Sequence, residues 1–250
     1  MEQSCRISNH IYPNNLKVIK FEPKEQVKYK KDGTPKLTHS NKQTGVSSKV
    51  YPMTDEEIQQ IKDYLYDQIT IAETDEKQFF ALRNYTMFVV GLNTGLRESD
   101  LVVLRFDHFM FDFNTFQPCI RIFMKKTHKW IEIAMNEEIK DTIRFYLDYS
   151  QLLGYHFDNK KYLFPSRQRP HIGAARWHDV MKQICTEVGI KRNIATHSLR
   201  KTYAEKFIEN NFDNPKAILG LKNRLGHSTI ESTMHYMSSY MNDKFKEVKY

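Results

Sequence analysis

From Thr54 onward the apolar residues of this chain recur at helical spacing, and between residues 109 and 133 that rhythm gives way to alternation. This change of period constrains the fold more than any other feature. It predicts a mainly α domain with one small antiparallel β-sheet, an α+β class. Ile58, Ile61, Leu65 and Ile69 form the first apolar stripe, behind Thr54, Asp55, Glu56 and Glu57. That hydroxyl, those acids and that glutamate are the makings of a capping box. A second helix is predicted from about Glu76 to Leu92, bracketed by Gly91 and Gly95, and a short one after Arg97. Phe109, Phe111 and Phe113 then alternate with other residues, as do Ile120, Ile122 and Met124. Lys125 to Lys129 read as a basic turn before Ile131 and Ile133. Helices return over about 136–153, 173–188, 198–210 and 215–225, and in pieces from Ser228 onward.

The chain has 250 residues, of which 40% are hydrophobic, so a substantial core can form. Its formal net charge of +8 favours a polyanionic partner. Nucleic acid is the commonest, because neutralising phosphates releases counterions. The three cysteines, Cys5, Cys119 and Cys185, are odd in number and far apart. They suggest neither a zinc site nor a disulfide framework, and fit a reducing compartment. The N-terminus lacks an apolar signal core, and no apolar run approaches the roughly 20 residues of a membrane span. The expectation is a soluble, cytoplasmic protein.

Residues 1–50 differ from the rest. Nine lysines from Lys17 to Lys49 crowd them; Leu16 to Phe21 could be a short strand and Asp32-Gly33 a turn. Two readings stand with equal weight: a solvated tail, or a basic arm lying along a DNA backbone. The second unit, residues 51–250, is expected to be the working domain.

Four contexts in that unit carry chemistry: Gly95-Leu96-Arg97-Glu98-Ser99-Asp100, then His197-Ser198-Leu199-Arg200, then Leu225-Gly226-His227, then Tyr236. A phosphodiester resists attack because its oxygens are anionic and its leaving alkoxide is poor. Two guanidiniums, Arg97 and Arg200, can hold such a phosphate through planar forks of donors. Any one arginine among 38 basic residues is more often a surface ion pair. Arg97 gains weight from its place between a glycine turn and a helix start, where Asp100 could cap the helix or orient the arginine. His197 and Arg200 share a helical face, with Thr196 or Ser198 as the cap. His227 is displayed after a glycine helix end. Tyr236 could supply a phenol as nucleophile, if cations and imidazoles surround it. Lys125, Lys126 and Lys129 lie in the basic turn, from which Lys126 could protonate a leaving 5′ oxygen; the other two would solvate a hairpin tip.

Together these strings resemble the tyrosine recombinase, or phage-type integrase, family over residues 51–245. Thr94 to Leu101 is similar to the box around its first arginine. Lys126 matches its hairpin lysine, and Thr196 to Arg200 its HxLR box. Leu225 to Ser228 matches its LGH box, with Tyr236 at the expected interval. The resemblance implies a DNA breaking-rejoining catalytic fold that clasps double-stranded DNA. It implies cleavage through a 3′-phosphotyrosine, then attack by a 5′ hydroxyl of another duplex, with no metal and no cofactor. It further implies four protomers on paired sites, with a C-terminal segment, here Met237 to Tyr250, shared between neighbours or packed on its own domain. The host would be a bacterial, phage-bearing or mobile-element-bearing cell. On this reading Arg97→Ala and Arg200→Ala abolish cleavage and leave DNA binding largely intact. One departure stands out: residues 1–50 are too short and polar for the helical core-binding domain that family members usually carry. The arm would substitute, a partner would supply the clamp, or the chain is a shortened form. Two competing activities share parts of this pattern: type IB topoisomerase relaxation and non-catalytic DNA-binding regulation. A metal-dependent nuclease would need converging carboxylates, which the motifs lack.

Overall fold

The computed structural model describes residues 50–158 and 161–237, apart from the side chain of His235. The lysine-rich segment, with the strand and turn expected in it, and the tail beyond Met237 lie outside the described residues.

Helix α1 (Asp55–Thr70) begins where the sequence placed it. The Glu57 backbone N–H donates to Thr54 Oγ1, and the Thr54 N–H donates to Glu57 Oε2. Ile58, Ile61, Leu65 and Ile69 face inward and are buried. They pack on α2 (Asp75–Thr94), which is enclosed along most of its length. A short α3 (Glu98–Leu101) follows. Helices α4 (Glu137–Leu152) and α5 (Ala174–Glu187) complete a first helical layer around the larger core.

The alternating segment forms two separate two-stranded antiparallel sheets rather than one. Strand β1 (Met110–Asp112) pairs with β2 (Thr115–Phe116), and β3 (Cys119–Met124) with β4 (Lys129–Ala134). The phase of β1 is opposite to the expectation. Met110 is buried, whereas Phe111 and Phe113 are exposed. A 3-10 turn over Phe106–His108 ends at Phe109, and the register slips between Met110 and Asp112, so alternation counted from Phe109 points the wrong way. Phe113 instead rests against the Phe106 ring at 4.9 Å between centroids. Lys129 is the first residue of β4, paired with Met124, and not part of the turn.

Helix α6 (Thr196–Glu209) joins two apolar clusters. Leu199 belongs to the larger one; Ala204 and Ile208 belong to a smaller one with Ala217, Leu221, Leu225 and Met237. That second cluster unites α6 with α7 (Ala217–Leu225) and α8 (Ile230–Tyr236). The seam between the clusters is where the chemical motifs meet. Among the described residues, no helix is long and apolar enough to cross a membrane.

Candidate active site

Helix α2 stops at Gly95, whose φ of 61° is left-handed. A Cβ there would lie 2.3 Å from the Tyr203 ring, so only glycine allows the approach. The chain then turns through Leu96 to Arg97, which takes extended angles as the N-terminal residue flanking α3. Arg97 is half-buried, and its Nη1 has no partner among the described residues. A buried guanidinium nitrogen left without an acceptor suits an anion.

Arg200 is placed differently from the expectation of a phosphate-facing fork. It is only 1% exposed. Its Nη1 donates to the Gly95 carbonyl at 2.7 Å, and its Nη2 to the Leu225 carbonyl at 2.6 Å. Those carbonyls end α2 and α7, so one side chain ties two helix ends together. Its Nε has no hydrogen-bond partner among the described residues. The α6 start also differs from expectation. Ser198 Oγ accepts from the Ala195 N–H, while Thr196 donates its hydroxyl to Glu98 Oε2.

Arg200 Nη2 further donates to His227 Nε2 at 3.3 Å. A guanidinium only donates, so Nε2 is bare and Nδ1 carries the hydrogen. Nδ1 then donates to Thr233 Oγ1 at 3.0 Å. Gly226, with φ of 64°, ends α7 and delivers His227 into this position. Tyr236, the last residue of α8, brings its ring within 5.2 Å of both the His197 and the His227 rings. Its hydroxyl is hydrogen-bonded to His197 Nε2. The Arg200 guanidinium carbon lies 5.8 Å from the Tyr236 ring centre.

Lys126 is exposed on the turn between β3 and β4. The turn is held from below. The Lys125 N–H donates to Asp100 Oδ1 at 3.3 Å, so Asp100 anchors the hairpin rather than capping α3 or orienting Arg97. A Cβ on Gly226 would lie 2.7 Å from Met124 Sδ and 3.3 Å from Thr127 Oγ1, so the hairpin base also rests on that glycine. The result is a cleft of about 950 Å³ lined by Arg97, Lys126, His197, His227 and Tyr236. Glu98, Thr196 and His178 line it too. His178 was not anticipated. It comes from α5 next to the buried Trp177, in no recognisable motif, and lies 3.4 Å through Nδ1 from Thr196 Oγ1. Glu231 and Ser232 of α8 are further lining residues without a sequence signal.

A model of the phage integrase family matches residues 52–243. The chain belongs to the phage integrase family. Relatives within it are distant. The Bacillus subtilis protein named "Probable integrase/recombinase YoeC" is 25% identical over 73% of this chain and 85% of its own length. A tyrosine recombinase of Thermosipho africanus is 28% identical over 67% of this chain and 54% of its own. The chain thus spans about half the length of that relative. Among solved structures, XerA recombinase superposes with a TM-score of 0.59 over 82% of this chain and 66% of its own, at 20% identity. XerH bound to its difH substrate gives 0.56 over 88% of this chain and 58% of its own, at 16% identity. These likenesses show a shared tyrosine recombinase fold, as the sequence resemblance implied.

Cations stand close to the two imidazoles of the cleft. Desolvation lowers the His197 pKa to about 4, assisted by the Arg200, Lys201, Arg97 and Lys126 cations. His197 is nonetheless exposed to solvent on the wall of the cleft. His227 is lowered to about 4 by burial, then by Arg200, Arg97 and His197. Both are therefore neutral at pH 7. Burial and then Arg97 bring Arg200 down to about 10, which still leaves it charged.

Proposed function

We propose that this chain is a site-specific DNA recombinase, cleaving and rejoining double-stranded DNA through Tyr236. The observation that carries the reading is the bond between the Tyr236 hydroxyl and a neutral imidazole, in a cleft that also presents Arg97 and Lys126. Neutral His197 accepts the phenolic proton through Nε2. The phenolate oxygen forms a bond to phosphorus and the P–O5′ bond breaks. Lys126 gives its proton to the departing 5′ oxygen, leaving a 3′-phosphotyrosyl link that preserves the bond energy. A 5′ hydroxyl from another duplex then reverses these steps. Arg97, with its unpartnered Nη1, holds a non-bridging phosphate oxygen as charge develops. Arg200 fixes His227 and lends its field to the nucleophile rather than acting as a second open fork. No metal and no cofactor enters these steps.

The wider arrangement follows the same reading. Residues 51–250 form the catalytic domain and residues 1–50 a basic arm or linker, in a cytoplasmic protein. Four protomers assemble on paired sites. The segment from Met237 to Tyr250 is shared between neighbours or packs on its own domain, where Met237 is buried in the smaller cluster.

The test is a nicked suicide duplex incubated with the protein without Mg²⁺. A denaturation-resistant protein–DNA adduct is expected from the parent and lost in Tyr236→Phe. Adduct persisting in that variant removes Tyr236 as the nucleophile. Supercoil relaxation without crossover products would give the chemistry to a topoisomerase instead.

A further inference from the structure

The outer face of the β3–β4 hairpin belongs neither to the core nor to the cleft. Ile120, Ile122, Met124, Ile131 and Ile133 point inward and are buried. Outward, the register makes two rungs, Arg121 opposite Glu132 and Phe123 opposite Trp130. The first rung is an ion pair, Arg121 Nη2 to Glu132 Oε1 at 2.6 Å. The second is aromatic and open, with Trp130 66% and Phe123 42% exposed and their ring centres 5.5 Å apart. His128 continues the row 6.1 Å beyond Phe123, on a backbone held at φ of 52°.

The charges around this ledge decide its occupant. Glu132 is neutralised by Arg121. Lys125, Lys126 and Lys129 are exposed, and their ammonium groups have no partner among the described residues. Beyond Trp130 a hollow of about 600 Å³ opens toward the end of α7, where Asn223 and Arg224 line it. Flat rings flanked by free cations fit a ligand that has both π faces and phosphates. Paired bases offer their faces only to their neighbours in the stack; unpaired ones offer them to a protein. A second copy of this chain, with its own positive charge, is the less suitable occupant.

We infer that this ledge is a stacking platform for unpaired nucleotides of the DNA strand beside the cleavage point, with Trp130 as its principal ring. Lys126 sits on the same turn, so a strand leaving the cleft after cleavage passes within reach of the ledge. The inference rests on the proposed function, in which the freed 5′ end must separate from its own duplex before it attacks another.

The full chain has two tryptophans, and Trp177 is completely buried. A change in tryptophan emission on adding DNA therefore reports Trp130. Three DNAs are titrated: a fully paired duplex, the same duplex with a short central run of unpaired bases, and its single strand. The expected result is quenching by the unpaired and single-stranded DNAs, and a preference for them over the paired duplex of about tenfold. Trp130→Ala loses that preference while keeping its affinity for the paired duplex and its melting temperature; Trp130→Phe retains most of it. Equal affinity for paired and unpaired DNA in the parent, or an unchanged preference in Trp130→Ala, overturns the inference. So does self-association without DNA that Trp130→Ala abolishes, which would assign the ledge to a second copy. If duplex binds and the Tyr236 adduct forms while Trp130 has no effect, the platform falls and the recombinase reading stands. If no DNA binds, both fall.

Discussion

Replacing Arg200 with alanine should unfold the molecule at a markedly lower temperature, whereas replacing Arg97 should not. The two were equivalent as sequence motifs and are unlike in the structure. Arg200 donates to the carbonyls of Gly95 and Leu225 from a position 1% exposed. Truncation removes two charge-assisted hydrogen bonds to carbonyls, each worth roughly 1.5–3 kcal/mol, and with them the longer bond to His227 Nε2. The two carbonyls left without those donors are part of that same cost and not an addition to it. Against this stands the desolvation cost of a buried cation crowded by Arg97, which the mutation relieves. A net loss of about 3 kcal/mol is a reasonable balance. At about 2–4 °C per kcal/mol for a domain of this size, the melting temperature should fall by roughly 6–12 °C. Arg97→Ala removes a half-buried guanidinium with an unpartnered nitrogen, and should shift it by less than about 2 °C. The assay is a thermal melt of DNA-free protein followed by circular dichroism. An Arg200→Ala melt within about 2 °C of the parent would refute the two-helix tie. The same argument alters the expectation that both arginine variants keep DNA binding: Arg200→Ala should keep it only well below its own melting point.

Histidine titrations followed by NMR in DNA-free protein should show two of the ten histidines, His197 and His227, protonating near pH 4. Both near 6.5 would remove the argument for a neutral imidazole held by burial and cations. The sign for stability follows. Folded values lie below the unfolded value of about 6.5, so the unfolded chain takes up protons first. The stability contributed is complete above about pH 6.5 and is lost as pH falls toward 4; a melting temperature independent of pH in that window would contradict it. Gly95→Ala should cost more than about 2 kcal/mol, from a forced positive φ and a clash with Tyr203. Partial recovery in Gly95→Ala/Tyr203→Ala would show that the ring is the obstacle, and a parent-like melt of the single variant would refute the clash. Lys126→Ala should slow adduct formation by about 10²–10⁴-fold, as loss of a general acid does. A substrate whose 5′ bridging oxygen is replaced by sulfur, a leaving group needing no proton, should restore the rate. Restoration of Lys125→Ala or Lys129→Ala instead would move the assignment along the hairpin.

What could be read in advance, and what could not, divides along a physical line. Thr54, Glu57 and the stripe from Ile58 to Ile69 announce α1 because capping and periodicity are local, carried within one stretch of chain. The alternation of residues 119–133 announced β3 and β4 for the same reason. Phe111 and Phe113 misled because the register slips between Met110 and Asp112, and a slip of one residue reverses which face is buried without leaving a mark in the apolar pattern. At the site, motif spacing identified which residues lie near one another but not which of them faces the cleft. The His197 to Arg200 interval puts both on one side of α6. It is silent about the carbonyls that cover the arginine, which arrive from 105 and 25 residues away. His178 was missed because its place at the cleft depends entirely on how α5 packs. A division of labour between the two arginines follows from this. The one at a helix start is half-buried, lines the cleft and has a nitrogen with no partner among the described residues. The one inside the helix seam holds in register the two helix ends that deliver Arg97 and His227. Loss of the first should therefore appear in the chemistry at constant stability, and loss of the second in both together.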